Sequence, residues 1–323
     1  MEKSLRKQDL LGLCILAVIF AGLYLLFDQE ILDDYVETNV IMILINIILA
    51  VSLNLINGFT GQFSIGHAGF MAVGAYTSAI ITVKLGMDFG MALVVATVSA
   101  AILGFLVGVP TLRLNGDYLA IATLGLGEII RITILNIDYV GGAAGFMGIP
   151  RETTFPIAFW IMAFVVYVIK NFKNSAEGRA CLSIRENEIA AETMGINTTR
   201  YKVLAFTIGA GFAGTAGALF SHYYYIAHPA SFTFMRSFDI LTMVVLGGLG
   251  SMSGAVTGAI VLTGISAALA DYPEWRMVIY SVVLIVLMLN RPQGIFGSKE
   301  ISMKVFQSIK RGGGNHGGAA ASQ

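Results

Sequence analysis

The chain is a succession of continuous apolar runs, most of them about as long as a bilayer core is thick. A hydrocarbon core of about 30 Å takes roughly 20 residues of α-helix. Runs of that kind occupy 10–27, 40–57, 67–85, 89–109, 118–136, 155–171, 201–224, 237–249, 254–270 and 275–290. Strands of a membrane barrel would alternate apolar and polar residues over segments of about ten, and these runs do not alternate. The expected fold is an all-α polytopic membrane protein, a helical bundle of about 8–10 transmembrane helices. Only 12% of the 323 residues are charged, against about 25% in an ordinary water-facing domain. Lys plus Arg equals Asp plus Glu at 20 each, so there is no basic surplus for nucleic acid, and membrane lipid is the expected surrounding.

The distribution of Lys and Arg orients the bundle, because cytoplasmic loops carry the excess. Fourteen of the 20 fall in three places: Lys3, Arg6 and Lys7; Lys170, Lys173, Arg179, Arg185, Arg200 and Lys202; and Arg291, Lys299, Lys304, Lys310 and Arg311. The first loop instead carries Asp28, Glu30, Asp33, Asp34 and Glu37. Both termini and the 172–200 connection are therefore predicted to be cytoplasmic. The parity also holds if 237–249, too short to cross unaided, forms a re-entrant hairpin with 254–270 from the outer side. The first run exceeds the apolar part of a secretory signal and lacks a small-residue cleavage site, so a retained helix is expected. Residues 1–300 read as one membrane domain, and the Gly/Ala/Ser-rich 301–323 as a cytoplasmic, disordered tail.

No phosphate-binding G-x-x-x-x-G-K-[ST] or H-E-x-x-H motif occurs, and His67, His222, His228 and His316 are scattered. Neither catalysis nor a metal site is expected. Cys14 and Cys181 give no disulfide framework. A G-x-G-x-x-G pattern at Gly209, Gly211 and Gly214 lies inside an apolar run, where it reads as a packing face extended by Gly217; Gly104/Gly108 and Gly254/Gly258 read alike.

Polar residues at membrane depth are costly and normally face protein or water. Glu128 and Arg131, three residues apart on one helix face, read first as an intramembrane ion pair and second as lining for a solute path. Asp239, close behind Arg236, opens the short run near an interface. The stretch Gly58–Phe70 packs four glycines with Thr60, Gln62, Ser64 and His67 between apolar runs. Broken helix at a transporter core has this composition, and so does a plain turn before a tightly packed helix; the residues alone leave both open. The polar connection 175–196 favours helix from Arg185 to Met194, with Gly195 placed to stop it. Its small Ala190 and Ala191, with Arg179, Arg185, Glu186, Glu188 and Glu192 as polar anchors, suit a docking surface for a cytoplasmic partner; a solvated amphipathic helix is the alternative.

Together these stretches resemble a known family. Glu188-Ile-Ala-Ala-Glu-Thr-Met-Gly195 resembles the E-A-A-x-x-x-G cytoplasmic loop of ATP-binding-cassette importer permeases. Gly178-Arg-Ala with Ile184–Asn197 is similar to branched-chain amino acid permeases of the LivM type. So are Gly61–Phe70, Gly116–Gly125 with Glu128-Ile-Ile-Arg131, Gly247–Ala255 and Arg291–Gly297. The resemblance runs from about residue 54 to 297, with Cys181 and Ser183 in place of more ordinary small or apolar residues. It implies a bacterial inner-membrane importer with a second, related permease subunit, two cytoplasmic ATPases carrying ATP and Mg, and an external solute-binding protein. No cofactor is implied in this chain. Gln62, Ser64, His67, Asp117 and Tyr118 become candidates for the translocation path, and Arg179, Arg185, Glu188, Ala190, Ala191 and Gly195 for the ATPase-coupling loop. Leucine, isoleucine or valine is the expected cargo; urea or short amides, carried by close siblings, are the alternative, and a secondary transporter a more distant one. With Glu128 and Arg131 assigned to each other, the path is expected to be weakly binding and mostly apolar.

Overall fold

The structure, a computed structural model, describes residues 16–18, 20–27, 33–112, 114 and 116–270, with isolated positions at 278, 282, 285 and 294. The tail 301–323, both terminal basic clusters and nearly all of the predicted run 275–290 lie outside the described residues. A helix over Leu16–Phe27 stacks Phe20 on Phe155.

Ten further helices follow among the described residues. They are α1 (Asp34–Asn54), α2 (His67–Ala79), α3 (Phe89–Thr111), α4 (Asp117–Leu135), α5 (Phe155–Asn174), α6 (Ala176–Glu186), α7 (Glu188–Thr193), α8 (Thr198–Tyr224), α9 (Phe234–Gly247) and α10 (Met252–Ala268). Helices α1 and α2 run on through π-helical turns, Leu55–Phe59 and Ile80–Lys84. Five stretches are long and apolar enough to cross a membrane: Asp34–Phe59, Phe89–Thr111, Asp117–Leu135, Phe155–Asn174 and Thr198–Tyr224. Two of them form the centre. About three-quarters of the apolar window of Asp34–Phe59 and of α8 is buried, at 78% and 72%, against 22–33% for α3, α4 and α5. Helices apolar on every side are buried or face lipid, so the three peripheral helices present the bundle to the bilayer.

Contacts along α1 and α8 show that they are antiparallel. Thr38 Oγ1 meets the Tyr223 hydroxyl at one end, and Gly209 lies against Ile56 and the Ser52 carbonyl towards the other. Helix α2 runs parallel to α8, with Phe70 edge-on to Phe206, Ser78 beside Ser221 and Thr82 beside His222. Their backbones touch: a Cβ on Gly74 would overlap the backbone of Gly214, and one on Gly217 the Met71 carbonyl. The G-x-G-x-x-G pattern is thus a packing face, and van der Waals contact between close backbones supplies the attraction that burial from water supplies elsewhere.

The connection 175–197 marks one end of the bundle, called here the basic end. Helices α9 and α10 form a hairpin whose tip, Gly248–Gly250, reaches that end. Returning from it, α10 tracks antiparallel along α1: Asn54 Nδ2 donates to the Ser251 carbonyl, Asn46 Nδ2 to Thr263 Oγ1, and the Tyr35 hydroxyl to the Ala267 carbonyl. The 14-residue α9 spans only about 21 Å at about 1.5 Å per residue, so it starts part-way in. The chain reaches that depth from the far end through a two-residue antiparallel strand pair, Phe146–Met147 with Ile226–Ala227, and a 3-10 turn at Pro229–Phe232. The protein satisfies this non-helical backbone: Ile149 N–H donates to the Tyr225 carbonyl and the Tyr76 hydroxyl to that of Ala227. Irregular backbone is tolerated at such depth only where protein or water meets its polar groups.

Candidate functional site

Beyond the π turn of α1 the chain turns back into the bundle through a non-helical stretch, 60–66, with Gly61 at φ +71°. Ser64 N–H donates to Asn57 Oδ1 and Asn57 Nδ2 to the Ser64 carbonyl, both at 3.2 Å. Ile65 N–H donates to Thr123 Oγ1 on α4, and Ala68 N–H to Ser237 Oγ on α9. Asn57 and Thr123 thus meet backbone groups of Ser64 and Ile65 that no helix satisfies, and Ser237 meets the first turn of α2. Gln62, Ser64 and His67 are all buried, while Gly61 and Phe63, on either side of Gln62, are exposed. His67 Nε2 pairs with Ser52 Oγ at 2.8 Å. Both amide atoms of Gln62, Ser64 Oγ and His67 Nδ1 make no hydrogen bond among the described residues. Each such group left unmet costs about 1–3 kcal/mol, a cost that a hydrogen-bonding solute or water beside it would remove.

At the basic end lies a cavity of about 290 Å3, lined by Gln62, Phe63, Leu119, Arg185, Glu188 and Lys202 among others. Arg185 reaches three separate elements. Its Nη1 donates to the Gly58 carbonyl at 3.0 Å, its Cγ packs on Gly61, and its guanidinium fills the space that a Cβ on Gly250 would need. Gly250 N–H in turn donates to Asn54 Oδ1, and a Cβ on Gly58 would overlap both of those atoms. The end of α1, the stretch at Gly61 and the hairpin tip therefore meet at one arginine from the polar connection.

That connection is two helices, not one continuous helix from Arg185 to Met194. Asn187 is extended (φ −161°, ψ 107°), and its Oδ1 accepts the Ala190 N–H, so it ends α6 and caps α7. Gly195, at φ +84°, closes α7 as expected. Ala191 is only 4% exposed and faces inward, which corrects its placement on an outer docking surface. Glu188 pairs with Lys202, and Glu192 accepts the Thr198 hydroxyl, tying α7 to α8. Arg179 donates to the Asn174 carbonyl. The apolar side chains left outward are Ile189 and Met194, 76% and 82% exposed. Cys181, inside α6, is buried, and burial pushes its thiol up to about 12.

Glu128 and Arg131 do pair, Nε to Oε2 at 2.7 Å. The other carboxylate oxygen accepts the Phe234 N–H at 3.0 Å, placing negative charge at the N-terminus of α9, where the helix dipole favours it. Two residues on, Arg236 Nη2 donates to Asn46 Oδ1 at 2.6 Å. A far-end cavity of about 380 Å3 opens there, with Asn46, Tyr224, Arg236, Asp239 and Thr263 in its wall. Asp117 and Tyr118 open α4 between Gly116 and Leu119, which line the basic-end cavity together with Gln62; Tyr118 is 74% exposed. No group of three or more His, Cys, Asp or Glu side chains among the described residues stands close enough to hold a metal.

The family described as "Branched-chain amino acid transport system / permease component" matches residues 35–288, nearly the whole of this architecture. The chain belongs to this family. The LivM permease protein of the high-affinity branched-chain amino acid transport system of Escherichia coli K12 is 36% identical over 304 residues, covering 83% of this chain and 72% of the relative. The LivH permease protein of the same organism is 28% identical over 288 residues, covering 79% and 92%. A probable LivM of Methanocaldococcus jannaschii is 25% identical over 314 residues, covering 79% and 91%. No solved structure matches.

In this branched-chain amino acid permease, two sets of residues stand out in the fold that the sequence pattern did not single out. Ile189 and Met194 are masked in the sequence by the charges around them, although apolar residues in a polar connection are themselves a signal. Asn46, Thr263 and Tyr224 give no signal, since isolated polar residues in apolar runs acquire meaning only when three helices bring them together around Arg236.

Proposed function

We propose that this chain is a membrane-spanning subunit of an ATP-driven importer that moves branched-chain amino acids delivered by an external binding protein. The observation that carries this reading is the family match over residues 35–288 together with 36% identity to a LivM permease. A second, LivH-like permease completes the membrane part, and two ATPases dock at the basic end, which faces the cytoplasm. Excess Lys and Arg at that end supports the orientation, and the membrane is the bacterial inner membrane. The exposed Ile189 on α7 and Met194 at its C-terminal end form the surface that meets an ATPase. ATP and Mg belong to those partners. Gln62, Ser64 and His67 lie beside the path in a closed conformation, and their unmet polar atoms become solute or water contacts when it opens.

Reconstitution of the complete complex in liposomes, with binding protein and ATP, tests the assignment. Uptake of leucine, isoleucine and valine in preference to urea and acetamide is expected. Preferential uptake of urea or amides would reassign the cargo, and uptake driven by an ion gradient without ATP would overturn the importer class.

A further inference from the structure

The far-end cavity lies between α1, α9 and α10, and its two charged wall residues, Arg236 and Asp239, stand three apart on α9, hence on one face. The Asn46 hydrogen bond positions Arg236 in the wall. Asn46 is in turn held by Thr263, so α1, α9 and α10 are linked through one polar chain. Met42 and Met243 supply apolar wall beside these groups. Its volume, about 380 Å3, falls within the roughly 300–1,000 Å3 of small-molecule pockets.

We propose that this cavity is a recognition station for a zwitterionic α-amino acid, with Arg236 taking the carboxylate, Asp239 the ammonium, and the methionines the aliphatic side chain. The proposal rests on the importer reading above and deepens it. Guanidinium and carboxylate form strong, directional charge-assisted pairs. One cation and one anion on adjacent turns match a solute whose two charges sit on one carbon. A solute with only one of those charges can replace the contacts of only one of the two side chains, so the zwitterion alone is matched at both. The amino acid exchanges its own charges for the contacts that the two side chains make when it is absent. The cavity thus departs from the mostly apolar passage expected from the sequence.

The test uses the reconstituted complex with Cys14 and Cys181 replaced and Ser266→Cys placed in the cavity wall. Labelling of that cysteine by a small aqueous thiol reagent is followed with leucine, with isopentylamine, which lacks the carboxylate, or with 4-methylpentanoate, which lacks the amine. Leucine is expected to slow labelling at least about threefold at concentrations a few times its dissociation constant, and the two analogues are expected not to. Equal protection by either analogue would overturn zwitterion recognition, and no protection by leucine would overturn the site. In parallel, Arg236→Lys and Asp239→Asn are expected to lower leucine uptake about tenfold while ATP hydrolysis still responds to loaded binding protein; uptake at the wild-type level would also overturn the site. Failure of the wild-type complex to take up leucine would instead overturn the importer reading beneath it.

Discussion

Glu128 Oε1 accepts the backbone N–H of Phe234, 106 residues later, at 3.0 Å. A carboxylate on one peripheral helix thereby fixes the first turn of another that starts part-way through the bundle. The Glu128–Arg131 pair is more than mutual neutralisation, since one partner also holds a helix end.

This asymmetry makes Glu128 the less replaceable of the two. Glu128→Ala removes both the ion pair and the α9 contact, and charge-assisted bonds are worth about 1.5–3 kcal/mol each. Arg131→Gln removes only the pair. Glu128→Gln keeps an acceptor for Phe234 and is expected to fall between them. Thermal unfolding in detergent should rank the variants in that order, and Glu128→Ala combined with Arg131→Gln should not recover the stability of Arg131→Gln alone. Equal effects of the two single changes would mean that the α9 contact contributes nothing.

Arg185 is expected to transmit, not to dock. Arg185→Gln removes the bond to Gly58 and should leave ATPase binding intact while uptake per ATP hydrolysed falls about tenfold, the effect of about 1.4 kcal/mol. Ile189→Asp and Met194→Asp should do the reverse, releasing the ATPases with little change in the stability of the membrane part. Co-purification and the ratio of transport to hydrolysis separate the two classes. Ala191→Glu should destabilise the connection itself, because the side chain must enter a buried site.

The contact between α2 and α8 admits no added volume. Gly74→Leu or Gly217→Leu forces the backbones apart, at about 1–3 kcal/mol or more, and is expected to reduce the amount of folded protein recovered from membranes. Gly264, where a Cβ would find nothing within 4 Å, should accept alanine without loss.

Cys181 is expected to be silent towards thiol reagents. The thiolate is the reactive form, and a thiol raised to about 12 carries, at pH 8, on the order of a thousandfold less thiolate than an ordinary thiol near 8.5. Mass spectrometry after maleimide treatment of native protein should leave Cys181 unmodified up to about pH 9, with labelling only after unfolding.

The helices were legible because burial in lipid requires long apolar runs, and the runs at 89–109, 118–136 and 201–224 reappear as α3, α4 and α8. The Glu128–Arg131 contact was legible from spacing alone. Asn187 was not: an asparagine in an otherwise helical stretch signals a break only when its side chain takes the Ala190 N–H in place of the helical pattern. Nor was the inward turn of Ala191, which depends on α7 lying against α8. The depth at which α9 begins, and with it the cavity around Arg236, follows from contacts among residues far apart in sequence that no local pattern records.

The break at Asn187 gives the polar connection two independent moorings. On one side of it, Arg185 is tied to the end of α1 and the hairpin tip; on the other, Glu188 is tied through Lys202 to α8. A single displacement applied at Ile189 and Met194 is thus split between the two most buried of the five long apolar stretches, which run in opposite directions. In the importer reading proposed above, the connection is a yoke: a push on it from the basic end becomes a shearing of α1 against α8, along the seam where Ser52 meets Gly209.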